Sequence, residues 1–282
     1  MIYFISQQVD QHYINFTGAD ALIYIQAADE ASQGKVQVNW QYLAAIDGVR
    51  YHNDFHKANR ENILALGNLF ISENPDTTAK SKYILLSLEE VMDKLCLNKR
   101  EKATVYSYLK NLQKMGNDTS HFHFIDQIRD GAIDNFQKYG ILPSITIAQA
   151  ILESGWGKST LSIKANNLFG IKADPAWQGK SIKLNTTEYC NQQTTANFRV
   201  YQNINHSIKD HGKFLYNNRR YQPVFSASHY IEQAQALENA GYSTKLDKRG
   251  NPIYADLLIE LIQQYNLQLL DSEVQEYNTL AN

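Results

Sequence analysis

Apolar residues recur at three- and four-residue spacing over most of the first 117 positions, and this period predicts helices. Leu22, Ile25 and Ala28 share one face of Ala19–Ala31, and Trp40, Leu43, Ala44 and Ile46 share one face after Asn39. Asn39 has the side chain of a helix N-cap, and Asn59–Ile71 continues in the same style. Ser87-Leu-Glu-Glu90 has the form of a capping box, and Asn98-Lys-Arg-Glu101 resembles one. Asn74–Ser81 reads as a turn-rich loop. Gly116-Asn-Asp-Thr-Ser120 is a second cluster of breakers and marks the expected end of a helical N-terminal domain, residues 1–117.

The period stays helical beyond that cluster. Phe124, Ile125, Ile128, Ala132, Ile133 and Phe136 form one stripe of a helix reaching Tyr139, and Gly140 ends it. Pro143 can open the next helix, whose apolar face is Ile145, Ala148, Ile151 and Leu152 and whose stop is Gly155. Between Phe169 and Tyr201 the pattern changes to β-prone runs, Ser181–Leu184, Thr186–Tyr189 and Phe198–Tyr201, separated by Gly, Pro and Asn. Helices return at Ser207–Tyr216, Tyr230–Ala240 and Tyr254–Tyr265, and residues 271–282 read as a tail. The fold class expected is mainly α, of the α+β kind, with one small strand region between helices.

Composition narrows the classes. With 43% apolar and 20% charged residues, the chain of 282 residues can bury a sizeable core. Its 27 Lys and Arg against 29 Asp and Glu are interspersed, which argues against a general affinity for nucleic-acid backbone. Cys96 and Cys190 form no CxxC pattern, and no run approaches the ~18–20 apolar residues of a membrane-spanning helix. Met1–Gln8 has no basic segment and too short an apolar run for a signal peptide. The 18 tyrosines suit either core edges or grooves that hold polar ligands such as sugars.

The chemistry concentrates in Ala148-Gln-Ala-Ile-Leu-Glu-Ser-Gly-Trp-Gly-Lys-Ser159. Glu153 closes an apolar helix, at the negative end of the helix dipole and beside Leu152 and Trp156. Dipole and apolar surroundings both disfavour its ionised form, so its pKa should rise. A carboxylic acid kept protonated near neutral pH is what glycosidic cleavage needs to protonate a leaving oxygen. A surface glutamate in the last turn of a helix has the same local sequence.

That segment, followed by Asn166-Asn-Leu-Phe-Gly-Ile-Lys172, resembles the signature of the glycoside hydrolase family 73 endo-β-N-acetylglucosaminidases. So do Trp177-Gln-Gly179, Thr187-Glu-Tyr189, Phe198-Arg-Val-Tyr201, Asp210-His-Gly-Lys-Phe-Leu215 and Ala240-Gly-Tyr-Ser-Thr244 followed by Tyr254-Ala255. The blocks keep their order over residues 118–270. The resemblance implies a lysozyme-like helical lobe, a small β-lobe and a groove that holds peptidoglycan glycan. It further implies Glu153 as general acid and Glu188 as a second catalytic carboxylate, unless the substrate's acetamido oxygen takes that part. Tyr242 matches the tyrosine of the family's Ala-Gly-Tyr-Ala-Thr motif, with Ser243 in place of the usual alanine. Trp177, Tyr189, Tyr254 and Asn167 complete the expected substrate-binding set. Asn166 and Asn167 also suit the turn entering the β-lobe, Phe169 suits its core, and Lys245–Pro252 is longer than the compact family version, which leaves the position of Tyr254 open.

The remaining signals are weaker. His121-Phe-His123 lacks accompanying metal-ligand spacing, His206 and His211 suit packing or a groove edge, and no phosphate loop or nucleophile elbow is present, so no cofactor and no metal are expected. In the N-terminal region Asp47, Arg50 and Asp54 lie near Gly48, which leaves open a second catalytic site or, alternatively, a packing or wall-targeting module. The reading as a whole is a peptidoglycan hydrolase acting outside the cytoplasm at the bacterial wall, with a muramidase, a lytic transglycosylase or a non-catalytic wall-binding protein as alternatives.

Overall fold

A computed structural model describes residues 13–188 and 192–280. Tyr189 and Cys190 lie outside the described residues, as does the Met1–Gln8 segment. The chain divides into two compact units, Met1–Phe122 and His123–Asn282. The division falls a few residues after the Gly116–Ser120 breakers.

The first unit contains α1 (Ala21–Ser32), α2 (Trp40–Arg50), α3 (Arg60–Leu69), α4 (Leu88–Lys94) and α5 (Lys99–Gln113). The side chains read as caps do cap. Asn39 accepts from the Gln41 amide, Asn59 from those of Glu61 and Asn62, and both capping boxes are closed. Each such cap stabilises its helix by roughly 1 kcal/mol, because it satisfies N–H groups that the helix leaves free. Leu43, Ala44 and Ile46 of α2 and Ile63 and Leu66 of α3 are buried in the core. Gly67 lets α3 approach α1, since a Cβ there would stand 2.9 Å from that of Ala31. The expected loop at Asn74–Ser81 is present, and it forms the tip of a hairpin that was not expected, β1 (Ile71–Glu73) with β2 (Tyr83–Leu85), Ile71 opposite Leu85. Three-residue strands leave too short an alternation to be seen in the sequence.

In the second unit α6 (Thr119–Tyr139, which begins before the division) leads into α7 (Pro143–Ser154). Ten of the twelve residues of α7 are buried, so it is the central helix rather than an amphipathic one. Its first turn is satisfied by side chains from elsewhere. Gln233 accepts from the Leu142 amide at 3.0 Å, and Asp271 accepts from the Ser144 amide at 2.9 Å and its hydroxyl at 2.6 Å. The helix is followed by α8 (Thr160–Ala165), β3 (Ser181–Glu188), β4 (Gln192–Arg199) and α9 (Ile204–Asn217). Then come the single turn α10 (Gln222–Phe225), α11 (Tyr230–Asn239), α12 (Tyr254–Gln264) and α13 (Gln268–Leu280).

Two sequence expectations are corrected here. The three β-prone runs make two strands of eight residues, antiparallel with Ser181 opposite Arg199 and Glu188 opposite Gln192. Asn185, expected to break a run, is paired with Thr195 inside the ladder. Of the expected tail, residues 271–280 belong to α13, which carries Leu270, Asp271 and Val274 into the core beside α7. Leu267 and Leu270 have no room to show a helical period beyond α12, and Asp271 conceals the apolar pattern. The described chain is mainly α with small β-hairpins. No described helix is long and apolar enough to cross a membrane.

Candidate active site

Helix α7 ends in a tight reversal. Gly155, Trp156 and Gly157 all have left-handed backbone, with φ of 56°, 62° and 72°. A side chain at Gly157 would strike Phe124 at 2.8 Å, so glycine is required there by both conformation and space. Ser154 ties the turn, donating to the Ala150 carbonyl and accepting from the Gly157 amide at 2.7 Å. Trp156, expected beside the acid, packs its ring edge-on to Phe124 and Tyr265. The turn thereby fixes the end of the helix on which Glu153 stands.

Glu153 is open to solvent, yet protein crowds it on several sides. Its pKa is raised, chiefly by desolvation, which outweighs the opposing hydrogen bond from Tyr254 and the charge of Lys245. The Tyr254 hydroxyl donates to Glu153 Oε1 at 2.9 Å and accepts from Gln149 Nε2 at 3.0 Å. Gln149 lies one helical turn before Glu153 on the same face of α7. With Gln149 donating to it, the Tyr254 hydroxyl directs its hydrogen to Oε1 and leaves Oε2 as the Glu153 oxygen it does not use.

Tyr242 stacks on Tyr254 with ring centroids 5.5 Å apart, and burial raises the pKa of both phenols well above the ordinary value. Behind Tyr242, His211 is fully buried and lies flat on Phe169 at 3.8 Å. Desolvation pushes its pKa down to about 3, so it is a neutral packing ring with no hydrogen bond from either nitrogen. The longer Lys245–Pro252 segment does not displace Tyr254. It folds back on itself, with Leu246 bridged to Pro252 and Asp247 accepting from the Arg249 and Asn251 amides. Glu238 of α11 then caps α12 by accepting from the Ala255 amide at 3.0 Å.

The other sequence candidates lie elsewhere. Glu188 is the last residue of β3, at the far end of the hairpin from its root. Asn167 is buried at that root, donating to the carbonyls of Ile171 and Arg199 and accepting from the Ile171 amide. Its side chain is spent on the turn, which disagrees with a place in the substrate-binding set. Phe169 is buried, as its core reading expected. Trp177 donates to the Lys180 carbonyl at 3.0 Å and holds the Arg199 guanidinium over its ring at 4.6 Å. Gln149 was not singled out in the sequence, although its spacing of four from Glu153 was the available signal.

The conjectured second site in the first unit is not formed. Asp47 has no exposed surface, and Tyr24 donates to its Oδ2 at 2.8 Å. Asp54 is at the surface, paired with Lys57 at 2.8 Å. His121 lies 3.3 Å from Asp118. Among the described residues, no group of three or more His, Cys, Asp or Glu is placed to hold a metal ion.

Residues 129–267 match the Glucosaminidase family, described as mannosyl-glycoprotein endo-beta-N-acetylglucosaminidase. Over 156 residues the chain is 39% identical to the exo-glucosaminidase LytG of Bacillus subtilis, which covers 52% of each. It is 38% identical over 135 residues to the peptidoglycan hydrolase FlgJ of Escherichia coli, covering 45% of this chain and 41% of FlgJ. A Lactococcus lactis protein described as "Probable N-acetylmuramidase" is 34% identical over 160 residues, covering 55% of this chain and 36% of its own. The chain thus spans about half the length of the curated relatives it matches, or less.

Proposed function

Because residues 129–267 of this chain belong to the glucosaminidase family of glycoside hydrolases, we propose that it cleaves β-1,4 bonds on the N-acetylglucosamine side of the bacterial cell-wall glycan. The observation that carries this reading is the state of Glu153: an acid on the family's motif, raised by desolvation and still open to solvent. The name of the matched FlgJ relative, a peptidoglycan hydrolase, supports peptidoglycan as the substrate, and the reading places the work at the wall, outside the cytoplasm.

In this reading Glu153 donates its proton from Oε2 to the departing glycosidic oxygen, while the Tyr254 hydroxyl holds Oε1 still. Tyr254 also accepts one hydrogen bond from Gln149, so its own hydrogen has a single direction. As the proton leaves, the new carboxylate keeps the Tyr254 bond and gains the nearby charge of Lys245, the two influences that favour the ionised form. Glu188 activates water from the other face of the sugar, or the substrate's acetamido oxygen attacks the anomeric carbon in its place. Tyr242 offers a ring face to sugar in the groove, and Asn167 is assigned to the turn instead. The first unit serves as a packing or wall-targeting module.

The test is mass spectrometry of borohydride-reduced fragments from purified peptidoglycan digested by the wild type and by Glu153→Gln. Fragments ending in reduced N-acetylglucosamine, absent with the variant, are the expected result. Reduced N-acetylmuramic ends would replace the bond assignment with that of a muramidase, the activity named for the Lactococcus relative. Anhydro ends would indicate a transglycosylase, and retention on the wall without release would indicate a binding protein.

A further inference from the structure

Helix α9 has two faces of different character. Ser207, Ile208, His211 and Leu215 are buried, and His211 leads through Tyr242 and Tyr254 to Glu153. His206, Lys209, Lys213 and Tyr216 recur at spacings of three and four and line the opposite face. That outer face borders an open cavity of about 860 Å³. Lys138 and Lys180 join Lys209 and Lys213 around it, so four lysines border one cavity on a chain whose net charge is −2. The one acid in the lining, Asp210, is already engaged by Arg199 at 2.8 Å and by the Tyr201 hydroxyl at 2.6 Å.

Between the cations lie fixed aromatic surfaces. Tyr139 and Tyr216 are tilted together at 5.7 Å, and Tyr216 is half exposed. Trp177 is held by its bond to Lys180, by Arg199 over its ring and by Tyr201 at its edge. A free inorganic anion would use the ammonium groups and leave the rings without a partner. A sugar chain bearing carboxylates uses both, stacking its C–H faces on the rings while ammonium groups take the acids.

We propose that this outer face of α9 is an accessory binding site for acidic glycan, separate from the catalytic groove. Given the wall-glycan substrate proposed above, on which the identity of the ligand rests, the acids are the lactyl and stem-peptide carboxylates of peptidoglycan. The site would hold one part of the wall while the groove on the other side of α9 works on another. Multipoint attachment of this kind raises local substrate concentration without adding contacts at the reacting bond.

The test is co-sedimentation of the full chain carrying Glu153→Gln with purified peptidoglycan, compared with the same chain also carrying Lys209→Gln and Lys213→Gln. Both are repeated on peptidoglycan whose carboxyl groups have been converted to amides. At about 50 mM salt the lysine substitutions should raise the wall concentration for half retention about tenfold, and at about 0.5 M salt the difference should shrink. Amidation should weaken the parent to a similar extent and leave little further effect for the lysine substitutions. Equal retention of the two chains on untreated wall would overturn the site. A lysine effect that persists undiminished on amidated wall would overturn the carboxylate assignment and point to a phosphate-bearing polymer. The melting temperature checks that the lysine variant folds. Its failure is separable from that of the proposed function, because the latter is read from fragment ends released by chains with Glu153 intact.

Discussion

Each unit holds a carboxyl group that accepts a hydrogen bond from a tyrosine: Asp47 from Tyr24 at 2.8 Å, and Glu153 from Tyr254 at 2.9 Å. Desolvation is the leading cause of a raised carboxyl pKa in both, and the hydrogen bond opposes it in both. The difference is access. Asp47 has no exposed surface, whereas Glu153 is exposed at the end of α7. A perturbed carboxyl therefore does not by itself mark a reactive site. Only the one that substrate can reach has a use for its proton.

The largest expected effect comes from Glu153→Gln, which should lower wall lysis by at least about 10²–10⁴-fold while leaving the melting temperature nearly unchanged. Lysis near the wild-type rate would remove the distinction between the two pairs. Tyr254→Phe should cost roughly tenfold in turnover and shift the pH profile. Activity that depends on protonated Glu153 falls as pH rises through its pKa. The lost hydrogen bond had been holding that pKa down, so the falling limb should move to higher pH. An unmoved limb would mean that Tyr254 only packs.

The matching change in the first unit, Tyr24→Phe, should act on stability instead. It leaves a buried carboxyl with neither oxygen paired and should cost about 1–3 kcal/mol in denaturant unfolding, with unchanged turnover per folded molecule. A last effect, seen only as a pH dependence, concerns Asp271, buried beneath the first turn of α7, where desolvation lifts its pKa to about 7. Its folded pKa is raised, so the folded state keeps a proton that the unfolded chain releases above about pH 4. Its contribution to stability is complete below that pH and is lost as pH rises towards about 7. Asp271→Asn should flatten the melting temperature across that window; a slope as steep as the wild type's would assign the dependence to other groups.

Much of the helical architecture was legible because it depends on local chemistry. Asn39, Asn59, Ser87 and Asn98 cap where their side chains can reach nearby amides, and Gly155 stops α7 where left-handed backbone is required. The hairpin β1–β2 was hidden by its shortness, and β3 was split in the reading by Asn185, a residue that the ladder tolerates. In the site, Glu153 was legible from its place on a motif. Gln149 was marked only by its spacing of four from Glu153, and its role depends on a partner 105 residues further along the chain.

The sequence alone determined where most of the capped helices begin, where the acid stands and which blocks surround it, because caps, turns and hydrophobic period act over a few residues. Tertiary structure decided which of the charged residues could do chemistry. It buried Asp47 under the Tyr24 hydroxyl, spent Asn167 on a turn, folded the long Lys245–Pro252 segment back so that Tyr254 reaches Glu153, and left that carboxyl open. Desolvation and solvent access depend on groups brought together from distant parts of the chain, and no local pattern specifies them.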